Sequence, residues 1–360
     1  MKITDVKVTL VKRIILVRVF TDEGLVGLGE CSGMNGPVVR SVVEDSLKPL
    51  LIGEDPLRIE RLWEKMYVST YKLRGQSQSI GISGVDIALW DLLGKALNAP
   101  VYQLLGGCYR EKIRMYASSV PRELKDPVRS ADMAARCVDA GFTALKVKVG
   151  ARWGFDDLPD LAVQTVRAIR QAIGPDVELM VDANSAYTAH TAIRMGRKFE
   201  EQDIFHFEEP VPFHDLGAMA QVAAALDVPV AGGEQDHTRY RFREILEQNA
   251  ADIIQCDVIK AGGLSECRKI AALADAFGKP VTPHNTNQTV GMAATLHFLA
   301  STPNCRYAHE CTILPDQRHD PARDELLTEP FKPENGFLTV PKGPGLGVTL
   351  NEEIVKKFGT

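Results

Sequence analysis

Apolar and polar positions alternate at the start of the chain: Ile3, Val6 and Val8, then Ile15, Val17 and Val19, with Thr21-Asp22-Glu23-Gly24 as a turn before Leu25-Val26-Gly27-Leu28-Gly29. A period of two predicts three antiparallel strands. The period then lengthens, and Val38 to Leu51, Pro56 to Tyr67 and Ser83 to Leu97 read as helices, the last with Val85, Ala88, Leu89, Leu92 and Leu93 at helical spacing. Strands followed by helices predict an α+β unit over residues 1–112, punctuated at its end by Pro100 and Gly106-Gly107.

From Lys112 the pattern becomes short strand, polar loop, helix, repeated. Candidate strands are Ile113 to Ala117, Ala144 to Val149, Glu178 to Asp182, Ile204 to Glu208, Val230 to Glu234, Ile253 to Asp257, Val281 to His284 and Arg306 to Glu310. Helical patterns such as Leu161 to Ile173, Ala189 to Glu201, Tyr240 to Gln248 and Leu264 to Ala276 lie between them. Eight strands in this rhythm predict a parallel barrel over residues 113–315, a modified (β/α)7β TIM-type barrel carrying an N-terminal α+β capping domain. Residues 316–360 are proline-rich, yet Phe331, Phe337, Leu338 and Val340 need a place to pack, so this segment is expected to return to the capping domain.

Composition narrows the partners. A net charge of −5 offers no basic field for nucleic acid or anionic membrane. No apolar run is long enough for a membrane span and the first residues lack the core of a signal peptide, so a cytoplasmic protein that binds small molecules is expected. The seven cysteines contain no CxxC pair and read as reduced packing residues.

The chemistry sits at the strand ends: Ser118-Ser119, Lys146 and Lys148, Asp182 and Asn184, Glu208, Glu234, Asp257, His284 and Glu310. In a barrel this end faces the active site. A single acid there is ordinarily a helix cap or a solvated group, but Asp182, Glu208 and Glu234 recur at an even pitch of 26 residues. Three hard oxygen donors without His or Cys favour Mg²⁺ over Zn²⁺. Lys146 and Lys148, two apart on one strand, both point inward, and mutual repulsion is expected to depress their pKa values and make Lys148 a base. Asp257 and His284 end neighbouring strands, so the carboxylate can fix the imidazole tautomer and raise its basicity. Glu310, if protonated, could donate to a substrate oxygen. Arg74, in a polar loop from Tyr71 to Gln76, is a candidate reader of a distal substrate group.

These residues resemble the enolase superfamily, and within it the mandelate racemase group. The resemblance spans nearly the whole chain: Asp22-Glu23-Gly24, Gly27-Leu28-Gly29-Glu30, Gly84-Val85-Asp86-Ile87-Ala88-Leu89-Trp90-Asp91, the Lys-x-Lys strand, Glu208-Glu209-Pro210, Gly233-Glu234, Lys260-Ala261-Gly262-Gly263 and Gly343-Pro344-Gly345-Leu346-Gly347. It implies one Mg²⁺ per subunit on Asp182, Glu208 and Glu234, with Lys148 and the His284–Asp257 dyad as acid/base groups. It also implies that Lys146 contacts the substrate carboxylate, Asn184 a substrate oxygen and Glu310 the enediolate. A homo-oligomer is implied as well.

Abstraction of the proton α to a carboxylate then leads to two outcomes. Loss of a β-hydroxyl converts an acid sugar, an aldonate or aldarate, to a 2-keto-3-deoxy acid; return of the proton to the opposite face gives a racemase or epimerase of a 2-hydroxy acid. Dehydration is favoured by analogy within the family. The short Val11 to Arg13 turn leaves little of a hydrophobic flap, which weighs against an aromatic substrate. A non-catalytic acid-sugar-binding barrel predicts a lost ligand or base, and none is lost.

Overall fold

The computed structural model describes residues 1–120, 126–151, 156, 161–315 and 317–360. Three antiparallel strands, β1 (Ile3–Val11), β2 (Ile14–Thr21) and β3 (Val26–Cys31), open the chain as the alternation predicts. A two-residue turn, Lys12-Arg13, joins β1 to β2, with Lys12 at φ 54°. The helix Gln76–Ala96 lies directly on β3, and a Cβ on Gly27 or Gly29 would run into the carbonyl oxygens of Ala88 and Gly84. Glycine is therefore required there by close approach.

That helix is buried continuously from Gln78 to Leu92 because it is wedged between the small sheet and the barrel. Asp86 accepts from the Ser265 hydroxyl (2.5 Å) and amide (3.0 Å), Ser83 accepts from Gly262 N–H (2.9 Å), and Asp91 accepts from Leu28 and Leu346 N–H (both 2.8 Å). The polar residues of the Gly84 to Asp91 motif are thus joints between layers. The predicted helix Val38 to Leu51 is instead three turns, Gly36–Ser41, a π-helical Val42–Leu47 and Lys48–Leu51.

The barrel strands are β4 (Lys112–Val120), β5 (Ala144–Lys148), β6 (Glu178–Asp182), β7 (His206–Glu208), β8 (Val230–Gly232), β9 (Ile253–Ile254) and β10 (His309–Cys311), all parallel, with β10 closing onto β4. The predicted strand Val281 to His284 is reduced to one bridge, Val281 to Ile254. Pro280 and Pro283 flank that bridge and have no N–H to give a ladder. Helices including Ala162–Ile173, Ala189–Glu200, Thr238–Glu247 and Gly263–Ala276 cover the outside. Among the described residues no helix is long and apolar enough to cross a membrane.

The C-terminal residues pack on both units. Strand β11 (Phe337–Thr339) pairs antiparallel with the start of β4, Gly345 bridges Pro100, and Leu10 and Thr360 exchange backbone hydrogen bonds at 3.1 and 2.9 Å.

Glu30, at the end of β3, is buried against the N-terminus of the barrel helix Val290–Ser301, where it accepts from the Thr289 hydroxyl and Gly291 N–H, both at 2.7 Å. Burial pushes its carboxyl up from 4.5 to about 7, although both donors oppose the shift. The folded state thus holds this proton more tightly than the unfolded chain. Below pH 4.5 the group contributes nothing; stability falls as pH rises through about 7, and at 1.36 kcal/mol per pH unit the full penalty is about 3 kcal/mol. Glu30→Gln is expected to remove this slope. In urea titrations the variant should gain up to about 3 kcal/mol on the parent between pH 5 and pH 8; a constant difference would refute the assignment.

Candidate active site

Ladder register brings the strand-end residues together: Lys148 lies opposite Asp182, and Asp182 opposite Glu208. Below them Lys146 is fully buried, with Nζ 2.7 Å from Glu208 Oε1 and 3.0 Å from Glu310 Oε1. The second oxygen of Glu208 accepts from Gln255 Nε2 at 2.7 Å and lies 3.3 Å from His206 Nε2. Lys148 is one-third exposed; it donates to Asn184 Oδ1 (3.2 Å) and stands 3.5 Å from Asp182 Oδ2. The Ser119 side chain lies outside the described residues.

His284 Nδ1 is 2.7 Å from Asp257 Oδ2, which assigns the ring proton to that nitrogen and leaves Nε2 facing Glu234 (3.2 Å) and Glu310 (3.8 Å). Asp257 is held in turn by Ile259 N–H (2.8 Å) and by Lys260, whose Nζ is 3.6 Å away. Lys148, Asn184, Glu234, Lys260 and His284 face a cavity of about 820 Å³. Its roof is the Lys12-Arg13 turn together with Asp320 and Arg323 from the C-terminal segment.

Two expectations about ionisation reverse. Burial alone would lower the Lys146 and Lys148 ammonium groups, but carboxylates outweigh both burial and the lysine–lysine repulsion. Glu208 and Glu310 hold Lys146 well above its ordinary value, and Asp182 raises Lys148. Glu310 is not a proton donor here: burial favours its acid form, but Lys146 and then His284 bring it down to about 2, and its Oε2 accepts from Asn285 N–H at 3.1 Å. Burial lowers His284, but Glu234, Glu310 and the hydrogen bond to Asp257 together outweigh it and raise the imidazole above its ordinary value.

Arg74 is also placed otherwise than expected. Its guanidinium lies over the Tyr67 ring at 5.1 Å in a separate surface cleft with Trp63, Arg239 and Tyr240. The cation–π contact holds it there. Sequence reasoning gave no role to Gln255, His206 or Glu209. Glu209 is buried beside the acid trio, and its carboxyl is raised well above the ordinary range by burial and by Glu234, Asp182 and Glu208. The adjacent Glu208-Glu209 pair was the available signal, but alternation would turn Glu209 outward; a φ of 38° takes it out of the strand conformation.

As the side chains stand, no three His, Cys, Asp or Glu groups among the described residues converge as a metal cage, because Glu208 is turned to Lys146 and Gln255, and Glu234 to His284 and Gln235. The donor chemistry nevertheless fits a hard divalent cation. Asp182 Oδ2 and Glu234 Oε2 are buried and make no hydrogen bond, their nearest cations being Lys148 at 3.5 Å and His284 at 3.2 Å, and burial together with the Glu208 charge raises the Asp182 carboxyl to about 6. Carboxylates in that condition are relieved by a cation.

Residues 4–106 match the mandelate racemase/muconate lactonizing enzyme N-terminal domain, and residues 129–354 the enolase C-terminal domain-like model. The chain is 38% identical over 348 residues to arabinonate dehydratase of Saccharolobus solfataricus, covering 96% of this chain and 90% of that protein. It is 40% identical over 354 residues to D-galactarolactone cycloisomerase of Agrobacterium fabrum, with the same coverage. A crystal structure of a putative dehydratase from Salmonella enterica superposes with a TM-score of 0.92 at 31% identity, covering 100% of this chain and 98% of that one.

Proposed function

The chain belongs to the mandelate racemase/muconate lactonizing enzyme family of the enolase superfamily, and from that premise we propose that it dehydrates an acid sugar to a 2-keto-3-deoxy acid. The observation that carries the reading is the placement of Lys148 and the His284–Asp257 dyad on one cavity, above three strand-end carboxylates. Asp182, Glu208 and Glu234 would hold one Mg²⁺ per subunit. Bound there, the ion supplies Lewis-acid stabilisation for the charge that develops on the substrate carboxylate.

The protein's own groups divide the remaining tasks. Lys146, a buried cation pinned by two carboxylates, faces the same charge and cannot easily lose its proton. Lys148 takes the α-proton: once Asp182 is engaged elsewhere, the carboxylate that does most to retain the lysine's proton is gone, and burial and the neighbouring Lys146 charge favour the free amine. His284 is held toward its charged form, so Nε2 can give a proton to the departing β-hydroxyl while Asp257 steadies the ring. Asn184, held through its amide by Asp182 Oδ1 at 2.7 Å, orients a substrate oxygen. Glu310 accepts rather than donates, and its part is to fix Lys146.

The test is incubation with a library of mono- and diacid sugars in Mg²⁺, following 2-keto acid formation and product mass. Loss of one water supports dehydration. Solvent deuterium entering recovered substrate without keto acid would mean a racemase or epimerase. An unchanged mass on a sugar lactone would favour ring opening, the reading suggested by the cycloisomerase relative. No turnover of any compound would leave a binding barrel. For the metal, Glu208→Gln is expected to weaken Mg²⁺ binding by about tenfold or more in calorimetry; unchanged affinity would remove Glu208 from the ligand set.

A further inference from the structure

The roof of the cavity carries three cations from two distant parts of the chain, Lys12, Arg13 and Arg323. Two are committed. Lys12 Nζ is 2.6 Å from Asp320 Oδ1, and Arg323 Nε is 2.5 Å from Asp324 Oδ1. The cations below are committed too, Lys148 toward Asp182 at 3.5 Å and Lys260 toward Asp257 at 3.6 Å. Among the described residues, Arg13 is the one cavity-lining cation with no acidic partner.

Its position is set by the backbone. The turn between β1 and β2 has only two residues, and the Arg13 carbonyl packs on Gly33, where any Cβ would collide with it. This fixes the Arg13 backbone at the wall of the cavity that Lys148 and His284 also line. A guanidinium is permanently charged and presents a planar fork of donors that matches a carboxylate in two parallel hydrogen bonds. A hydroxymethyl group offers no such match.

Resting on the dehydratase reading, we propose that Arg13 binds the second carboxylate of the substrate, so that the enzyme acts on aldarates in preference to aldonates. The role expected of Arg74 passes to Arg13, because the hairpin turn overhangs the cavity whereas Arg74 is held on Tyr67 outside it. An extended six-carbon diacid would have its reacting end at Lys148 and His284 and its far carboxylate at the roof.

The experiment compares matched pairs that differ only at the far carbon, D-glucarate with D-gluconate and galactarate with D-galactonate, in the parent enzyme and in Arg13→Gln and Arg13→Lys, all with Mg²⁺. In the parent, kcat/KM is expected to favour the diacid. Arg13→Gln should lower the diacid-to-monoacid ratio by about 10- to 100-fold, mainly through KM, with Arg13→Lys intermediate because it keeps charge but loses the fork. The turn is exposed, so circular dichroism should confirm that both variants fold. A parent that prefers the monoacids, or a ratio unmoved by Arg13→Gln, would overturn the proposal and leave the dehydratase reading intact. A parent that dehydrates none of the four compounds overturns the proposal, and the dehydratase reading falls with it only if the wider acid-sugar library also gives no keto acid.

Discussion

Lys146→Met is expected to lower stability by about 3–5 kcal/mol and to abolish turnover. The lysine is the shared counter-ion of Glu208 and Glu310 in a fully buried site, and removing one partner of such a cluster leaves uncompensated buried charge. Urea unfolding of the metal-free protein measures the stability, and a loss under about 1 kcal/mol would show the triad to be energetically idle. The double variant Lys146→Met, Glu208→Gln separates the two effects. Removing one carboxylate along with the lysine should recover much of the stability, while activity stays lost because the proposed partner of the substrate carboxylate and a proposed metal ligand are both gone.

The second large effect concerns His284. His284→Asn is expected to reduce dehydration by about 10²–10⁴-fold, the usual contribution of a positioned acid, while deuterium exchange at the α-carbon continues through Lys148. Exchange is read by mass spectrometry of recovered substrate in D₂O. If exchange disappears together with dehydration, His284 rather than Lys148 removes the proton; if both persist, the 2.7 Å contact with Asp257 is structural only. Asp257→Asn should resemble it in milder form, because the ring remains but its tautomer is no longer fixed.

The capping sheet and most barrel strands were legible because their patterns are local: β1 to β3 alternate, and β6 matches the predicted Glu178 to Asp182. The even pitch of Asp182, Glu208 and Glu234 was legible because each strand–helix unit consumes a similar length of chain. The strand at Val281 was overestimated, since two prolines remove ladder donors that a hydrophobic pattern does not register. Ionisation was less accessible still. Whether Lys148 is neutral or Glu310 protonated depends on charges contributed by several different strands, and local sequence counted the neighbouring lysine but not the acids around it. Sequence singled out Arg74 as the loop cation and saw in Arg13 only the end of a short turn; the fold places Arg13 on the cavity and Arg74 on an aromatic ring.

The backbone contact between Leu10 and Thr360 also fixes an order of events during synthesis. Every barrel strand has been made by residue 311, and the floor can begin to close. The edge strand β1, two residues from Arg13, still lacks its last partner until residues 359 and 360 emerge. A nascent chain stalled near residue 350 would hold Lys146, Lys148 and His284 beneath a loosely seated roof. Seating of the roof thus waits on residues made well after the last barrel strand, and contacts this far apart in sequence make that step slow.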